Sequence, residues 1–429
     1  MKSANAYQKR IIDQLLKRNL EELPAILIEG AKAVGKTETC LQLAKTVYDL
    51  DNESIRLLLK NSPEIILNNE IPVLIDEWQL LPEVWSFVRH QVDQGLPAGS
   101  VLFTGSSIKV NSRIHSGAGR IIRMTLRPFS IEERQMSDRY LRVGDLLEMN
   151  QEQKISGITD KTLTDYLDEI FRSGFPGIRN KSEHARHLLL QSYVNNIVDH
   201  DFQENGFMIK KPESLLSWIK SYAAAIGTTT KFQTIWQAAM ANNSESASRK
   251  TIEYYHEALK ILDIIDEVPS FLPVGKIYSN LARAPKHFML DPAIALEILG
   301  VDQAQLVNYK VPSYIGIFNQ SFIGQLLESL VYQSLIVYAE ANDAKLSHFR
   351  NHTGTHEVDF IIQKQNHLIL FEVKADPEAK DSYVKHLNWF EELVKGEFEV
   401  TKVLLNTGKV AYTRNQDHVH VIPISMIGS

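Results

Sequence analysis

A glycine-rich segment near the N-terminus constrains the fold of this chain more than any other feature. Residues 25–28 read Ala-Ile-Leu-Ile, an apolar run of strand formers, and residues 30–37 read Gly-Ala-Lys-Ala-Val-Gly-Lys-Thr. The second stretch fits the pattern G-x-x-x-x-G-K-[ST], in which loop N–H groups and the start of the next helix surround a polyphosphate. We therefore predict a strand, a phosphate-binding loop and a helix, in that order.

The motif assigns a contact to each of its defining residues. Lys36 is expected to neutralise the β- and γ-phosphates of ATP, and Thr37 to place its hydroxyl on Mg²⁺. Gly30 and Gly35 are expected to let the backbone wrap the phosphates closely. An ordinary glycine turn is the alternative interpretation. The loop thus predicts ATP and Mg²⁺ as cofactors.

A second apolar run ends in two acidic residues. Residues 72–75 read Pro-Val-Leu-Ile, and Asp76 and Glu77 follow directly. A phosphate-binding loop works with a carboxylate at the end of another buried parallel strand, because that carboxylate lies on the Mg²⁺ side of the nucleotide. We expect Asp76 to take this role and Glu77 to be the base that orients the attacking water. A solvated strand end is the alternative.

A third apolar run, residues 100–103, leads into hydroxyl side chains. At the carboxyl end of a strand, a hydroxyl can reach the γ-phosphate or the water. Ser106 is the predicted sensor of the γ-phosphate, and Thr104 is the second candidate. Arg120 follows in a glycine-flanked loop and is predicted to stabilise transition-state charge in its own subunit or in a neighbouring one. A surface arginine is the alternative for this residue.

Composition excludes several classes of protein. The chain has 429 residues, of which 44% are hydrophobic and 23% charged, and at roughly 150 residues per domain this predicts two to three globular domains. The single cysteine, Cys40, excludes an intramolecular disulfide and a cysteine zinc cluster. The net charge of -6 argues against a uniformly basic surface, so any DNA contact is expected to be local or metal-assisted. Without an apolar stretch of membrane-spanning length, we expect a cytoplasmic protein with no membrane partner.

The middle of the chain has helical periodicity. Residues 131–160 turn polar and show no strand pattern, so the first domain is expected to end near residue 150. Three helical patterns, at 215–226, 232–240 and 248–261, precede two short strand patterns at 264–269 and 286–290. This order is typical of a winged helix.

The third of these helices has two interpretations. It carries Arg249, Lys250, Tyr254 and Tyr255, as a helix that reads the major groove of DNA would. Glutamates on or beside the same helix would repel phosphate, and winged helices attached to ATPases also serve as packing modules. DNA reading and internal packing both stay open from the sequence.

Near the C-terminus, two strand-like runs predict a hairpin with charged residues on one face. If Gln365 and Asn366 form the turn, Asp359 lies directly across from Glu372. Lys374 shares that face. The apolar helix 322–338 carries Glu328, which can point at the hairpin.

Carboxylates and a lysine that converge in this way can hold Mg²⁺ and activate water for phosphodiester hydrolysis. Asp359 and Glu372 are the predicted metal ligands, and Glu328 and Lys374 complete the predicted catalytic group. A solvated hairpin face is the alternative.

Taken together, these features resemble a large family of bacterial and archaeal AAA-type P-loop ATPases that end in a domain with the PD-(D/E)XK nuclease fold. The likeness covers nearly the whole chain. It rests on the phosphate loop, Asp76-Glu77-Trp78-Gln79, residues 102–107, Ala118-Gly119-Arg120, Ser173-Gly174-Phe175-Pro176, residues 285–292, and Glu357-Val358-Asp359-Phe360 with Glu372-Val373-Lys374. The middle of the loop, Ala31-Lys32-Ala33-Val34, departs from the Pro-Arg-Gln-Val that the family prefers.

The resemblance implies an α/β chain with a P-loop parallel sheet in residues 1–150, a helical and winged-helix region in 151–300, and a nuclease-like α/β domain in 301–429. We expect a Mg²⁺-dependent ATPase whose nucleotide state controls a nuclease-like domain that acts on or binds DNA, with a homo-oligomer as a candidate assembly. The alternative is a nucleotide-dependent regulatory switch with a non-catalytic C-terminal interaction module. A P-loop small-molecule kinase is a weaker rival, because it gives no reason for the last hundred residues.

Overall fold

The computed structural model of the chain describes residues 7–105, 119–149, 153–241, 247–272, 284–307 and 322–429. Its hydrophobic core runs through all three predicted regions, because one cluster of buried side chains includes Ile28, Trp218 and Phe360. The predicted domain boundaries therefore stay a prediction.

The N-terminal region is built on a parallel sheet. Its described strands are β1 (Ala25–Glu29), β2 (Thr46–Asp49), β3 (Val73–Asp76), β4 (Val101–Thr104) and β5 (Ile122–Thr125), in the spatial order β2-β3-β4-β1-β5. The helices of this region are α1 (Ile12–Glu22), α2 (Lys36–Leu41), α3 (Glu53–Asn61) and α4 (Pro82–Asp93), with 3₁₀ turns at Pro63–Asn68 and Trp78–Leu80. The three predicted strands are confirmed, and their carboxyl ends meet at one edge of the sheet because every pairing is parallel.

The middle region is mainly helical. Its helices are α5 (Val143–Glu148), α6 (Leu163–Arg172), α7 (Pro176–Arg179), α8 (Glu183–Asn196), a π-helical turn at Ile197–Asp201, α9 (Phe202–Glu204), α10 (Pro212–Ala224), α11 (Phe232–Met240), α12 (Arg249–Ile261), α13 (Pro292–Leu299) and α14 (Gln303–Val307). After α12, strands β8 (Ile265–Val268) and β9 (Lys286–Met289) pair antiparallel. The predicted order of three helices followed by two short strands is confirmed.

The C-terminal region contains a mixed sheet. Its elements are α15 (Phe322–Ala341), β10 (Lys345–Arg350), β11 (Glu357–Lys364), β12 (His367–Val373), α16 (Asp381–Leu393), β13 (Glu399–Asn406), β14 (Val410–Thr413), β15 (His420–Pro423), a 3₁₀ turn at Ile424–Met426, and β16 (Ile427–Gly428). The register pairs Lys364 with His367 and Phe360 with Phe371. The predicted two-residue turn at Gln365 and Asn366 is confirmed.

Two short strands lie where the sequence predicts none. β6 (Leu141–Arg142) pairs with β16, and β7 (Ser156–Ile158) pairs with β14 at the edge of the mixed sheet, whose order is β10-β11-β12-β13-β15-β14-β7. The prediction that 131–160 lacks strands is wrong. β7 forms through backbone pairing with β14, and the side chain of Ile158 is 80% exposed. Because the strand does not bury alternate side chains, its sequence has no alternating apolar pattern.

Helix α15 is long and apolar enough, by length and composition, to cross a membrane. However, 72% of its apolar window is buried inside the protein. The backbone N–H of Ile131 donates to Ser334 Oγ at 3.0 Å, and that of Glu132 donates to Tyr338 Oη at 2.9 Å. These contacts tie α15 to the N-terminal region, as expected for a core helix.

Candidate functional site

The loop between β1 and α2 adopts a conformation that favours its glycines. Gly30 and Gly35 have φ angles of 144° and 100°, a region that L side chains rarely occupy. A Cβ on Gly30 would also clash with the carbonyl oxygen of Leu126. The backbone conformation of the loop therefore favours glycine at these two positions, in addition to any requirement of phosphate binding.

The lysine of the motif is buried in this loop. Lys36 Nζ donates to the carbonyl oxygens of Gly30, at 3.0 Å, and Ala31, at 2.9 Å. Burial lowers the pKa of Lys36, and the charges of Glu77, Asp263 and Asp76 partly offset this effect. An ammonium with little water around it interacts more strongly with an anion, which suits the predicted contact with phosphate.

Three elements bring polar side chains together at the carboxyl edge of the sheet. Thr37 Oγ1, at the start of α2, donates to Asp76 Oδ1 at 3.0 Å. Thr104 Oγ1, at the end of β4, donates to the same carboxylate oxygen. Hydroxyl and carboxylate oxygens are ligands that Mg²⁺ prefers, so Thr37 and Asp76 fit the cation of a nucleotide. Thr104 lies at the predicted sensor position, while Ser106 falls outside the described residues.

Glu77 follows Asp76 in a left-handed conformation with a φ of 53°. Its side chain is half-buried and accepts a hydrogen bond from Gln79 Nε2. Burial raises the pKa of Glu77, while the bond from Gln79 and the charge of Lys36 lower it. A carboxylate of raised pKa beside the phosphate loop has the properties of a general base.

Arg10 is a buried residue of this site to which the sequence analysis assigns no role. Its guanidinium donates to Glu133 Oε1 at 2.9 Å, to the carbonyl of Val34 in the phosphate loop at 3.1 Å and to the carbonyl of Arg127 at 2.6 Å. It also lies over the ring of Phe129, 4.5 Å from the ring centroid. Arg10 therefore joins the phosphate loop to the segment after β5.

A second loop residue connects to the helical region. Lys32 Nζ lies 2.7 Å from Asp201 Oδ1 and 2.6 Å from Glu204 Oε2. Burial lowers the pKa of Lys32, but the hydrogen bonds that it donates to these two carboxylates raise its pKa overall. Asp201 ends the π-helical turn, a rare element that is found frequently at functional sites.

Arg120 lies away from this site. β5 pairs in parallel with β1 from Ile26 and Ile122 onward, so Arg120 precedes the amino end of the sheet, opposite the phosphate loop. Its Nε is 2.5 Å from Asp93 Oδ1 at the end of α4. The structure does not bring Arg120 to the nucleotide site of its own chain, and a role in a neighbouring subunit stays a prediction.

The predicted carboxylates of the C-terminal region do converge. The backbone N–H of Val373 donates to Asp359 Oδ2 at 2.9 Å, and Lys374 Nζ lies 2.6 Å from Glu372 Oε1. Glu328 reaches the same cluster from α15: burial lowers the pKa of Lys374, whereas the charges of Asp359, Glu372 and Glu328 raise it. The hairpin and the helix therefore place the predicted side chains as the sequence indicates.

A further residue, Lys286, lies inside this carboxylate cluster. Its Nζ is 2.6 Å from Glu328 Oε2 and 2.9 Å from Asp359 Oδ1, and its side chain is 1% exposed. Within the described residues, no group of three His, Cys, Asp or Glu side chains is arranged to hold a metal ion. Asp359 and Glu372 stay predicted metal ligands, and in this arrangement the ammonium group of Lys286 lies between Glu328 and Asp359.

Burial and the charges of neighbouring groups shift the pKa values of the side chains in the cluster. Burial raises the pKa of both Glu372 and Glu328, and the charge of Asp359 adds to that effect. Burial alone would lower the pKa of Lys286, but the charges of Asp359 and Glu328 raise it above its usual value. Lys286 is therefore held as a cation.

Helix α12 packs one face inside the protein. Ile252, Tyr255 and Leu259 are fully buried, and Tyr255 Oη accepts hydrogen bonds from the N–H groups of Lys210 and Lys211. On the exposed face, Arg249 Nε lies 2.8 Å from Glu253 Oε1. The contacts favour internal packing over DNA reading for this helix.

Three family models match the chain. Residues 22–135 match a model described as AAA domain. Residues 163–305 match Domain of unknown function (DUF8612), and residues 323–427 match Domain of unknown function (DUF4143). With the parallel sheet, the phosphate loop and Asp76 in place, the match of residues 22–135 supports an AAA-type P-loop ATPase domain in the N-terminal part of this chain.

Solved structures show weaker likeness, and no curated protein matches the chain. The Walker-type ATPase PABY2304 of Pyrococcus abyssi has 12% identity and a TM-score of 0.41, covering 69% of this chain and 97% of that one. A RuvB variant of Thermotoga maritima has 15% identity and a TM-score of 0.27, covering 63% of this chain and 94% of that one. Both TM-scores are below 0.5, so no functional conclusion rests on these structures.

Proposed function

We propose that this protein is a Mg²⁺-dependent ATP hydrolase of the cytoplasm whose nucleotide state controls its C-terminal domain, and that this domain acts on or binds DNA. The observation that carries the hydrolase assignment is the meeting of Thr37, Asp76 and Thr104 beside the phosphate loop. Glu77 is the general base for the attacking water, and Lys36 binds the phosphates. Thr37 and Asp76 would hold Mg²⁺, which would supply positive charge next to the phosphates.

Contacts between the nucleotide site and the rest of the chain support control of one region by the other. Lys32 of the phosphate loop binds Asp201 and Glu204 of the helical region. Arg127, in the segment after β5, lies 2.6 Å from Asp266 on β8. A nucleotide that changes the position of the loop or of this segment therefore acts directly on the helical region and on the β8–β9 hairpin.

The C-terminal domain has two candidate activities. Asp359, Glu372 and Lys374 on one face of the β11–β12 hairpin favour a nuclease-like domain. The position of Lys286 between Glu328 and Asp359 favours the second candidate, a regulatory switch whose C-terminal domain is a non-catalytic interaction module. We propose the first candidate, because Glu328, Asp359, Glu372 and Lys374 belong to one cluster of charged side chains.

DNA binding and cleavage in the presence of ATP and Mg²⁺ test this function. We expect the wild-type protein to bind or cut plasmid or oligonucleotide DNA in a nucleotide-dependent manner. Lys36→Ala should abolish the dependence on nucleotide, whereas Lys45→Ala, which changes an exposed lysine after the same helix, should keep it. Gel shift and plasmid nicking are the measurements, and Glu372→Ala separates cutting from binding. Absence of both activities on DNA, with or without nucleotide, would reject the DNA part of the proposal.

Assembly is tested through Arg120. If this arginine acts on the nucleotide of a neighbouring subunit, ATPase activity per chain rises with protein concentration. Mixing Arg120→Ala and Lys36→Ala chains should then restore part of the activity, because each variant supplies the group that the other lacks. A rate that is independent of concentration, with no restoration on mixing, would leave Arg120 as the surface partner of Asp93.

A further inference from the structure

The carboxylate cluster of the C-terminal domain contains its own cation. Lys286 Nζ contacts Glu328 at 2.6 Å and Asp359 at 2.9 Å, and a third carboxylate, that of Glu357, lies 3.9 Å away. The same ammonium lies 5.2 Å from the ring centroid of Phe360. A divalent cation that used Glu328 and Asp359 as ligands would have to occupy the space that this ammonium fills.

The charges of the cluster are only partly balanced. The buried carboxylates of Asp359 and Glu372 and the half-buried carboxylate of Glu328 face two ammonium groups, those of Lys286 and Lys374. Glu372 is 6% exposed, and its Oε2 atom has no hydrogen-bond partner among the described residues. A buried carboxylate oxygen without a donor is costly, and it is an open position for a cation or another donor.

Lys286 belongs to a different structural unit from the carboxylates around it. It is the first residue of β9 and pairs with Val268 of β8, whereas the carboxylates lie on α15, β11 and β12. The β8–β9 hairpin is joined to the N-terminal region through Asp266 and Arg127. The turn before β8 holds Asp263, whose charge acts on Lys36 of the phosphate loop. The position of Lys286 therefore depends on a hairpin that also contacts the nucleotide-binding region.

We propose that Lys286 is an internal counter-cation that keeps divalent metal out of the carboxylate cluster, so that the cluster binds metal only when this side chain is withdrawn. The inference rests on the proposed function, because it names the control of the same C-terminal site. It assigns the β8–β9 hairpin as the element that opens or closes the cluster. It also accounts for a set of nuclease-type side chains that is complete and yet encloses an ammonium group.

Metal binding without catalysis tests this proposal. Both proteins compared carry Asp76→Asn, which removes the carboxylate of the ATP site as a metal ligand. Calorimetric titration with Mn²⁺ should show that adding Lys286→Met increases the affinity by at least about tenfold, because two carboxylates then lack a cation. Adding Asp359→Asn to Lys286→Met should remove the gained binding.

Lys260→Met is the matched control, because Lys260 also forms an ion pair with the β8–β9 hairpin, 3.0 Å from Glu267, and lies outside the cluster. It should leave Mn²⁺ affinity unchanged. If Lys286→Met destabilises the fold, Lys286→Gln takes its place. The rise of the melting temperature on addition of Mn²⁺ then replaces the calorimetric titration. Suppose that the proteins with and without Lys286→Met bind Mn²⁺ with equal affinity, and that Asp359→Asn removes this binding. That result would overturn this inference and leave the proposed function standing. No binding in either protein would overturn the inference and also favour the non-catalytic module.

Discussion

Glu77→Gln should bind ATP with unchanged affinity and lose turnover by about two to four orders of magnitude, the usual contribution of a general base. Glutamine keeps the size of the side chain and its hydrogen bond with Gln79, but it cannot accept the proton of the attacking water. Lys36, Thr37 and Asp76, which we propose hold the phosphates and Mg²⁺, are unchanged in this variant. Phosphate release measures turnover, and titration with a fluorescent ATP analogue measures affinity.

Glu83→Gln is the matched control, since Glu83 is exposed in the first turn of α4, six residues further on. It should keep both affinity and turnover. The pH profile adds a second readout. Burial raises the pKa of Glu77 above its usual value, so the base is lost by protonation as the pH falls, and the acid limb of the wild-type profile should begin above pH 4.5. Wild-type turnover in Glu77→Gln would contradict the role of this residue.

The nucleotide site could be predicted from the sequence because its parts are short and local. The phosphate loop, Asp76 and Thr104 each follow an apolar strand directly, and parallel pairing brings the ends of such strands to one edge. The β11–β12 hairpin was predictable for a similar reason, since a two-residue turn sets the register of its strands. In both cases local spacing determines which side chains meet.

The residues that the sequence analysis missed act over long distances in the chain. Lys286 meets Asp359 across 73 positions, and Arg10 meets Glu133 across 123. No periodicity links such pairs, because the contact depends on how whole elements pack. Lys286 lies within residues 285–292, which carry part of the family resemblance, but a charged residue at the end of a short apolar strand is usually solvated.

Arg120 shows the limit of reasoning from sequence proximity. It follows the predicted sensor strand in the chain, which suggested a position near the phosphates. The parallel pairing of β5 with β1 instead returns the chain to the amino edge of the sheet before β5 begins. The direction of a strand in a parallel sheet therefore determines which of its two flanking loops lies at the edge that holds the phosphate loop.

Arg10→Ala should destabilise the N-terminal domain by about 3–5 kcal/mol, as for breaking a buried ion pair. The Arg10 side chain is 3% exposed, and its removal leaves Glu133, whose side chain is 2% exposed, without its cation. The carbonyl of Val34 in the phosphate loop also loses a donor. We therefore expect a lower melting temperature and a weaker affinity for ATP, measured by calorimetry on the full chain.

Arg18→Ala, in the helix α1 that begins two residues after Arg10, provides the comparison. Arg18 lies on α1 with a side chain that is 57% exposed, and its nearest acidic partner, Asp343, is 3.9 Å away. Exposed pairs of this kind contribute about 0–1 kcal/mol, so melting temperature and ATP affinity should change little. Both variants remove one guanidinium from the same region, and they differ in burial and in the contact with the phosphate loop. Equal effects of the two changes would show that Arg10 stabilises the domain by charge alone and has no specific role in holding the loop.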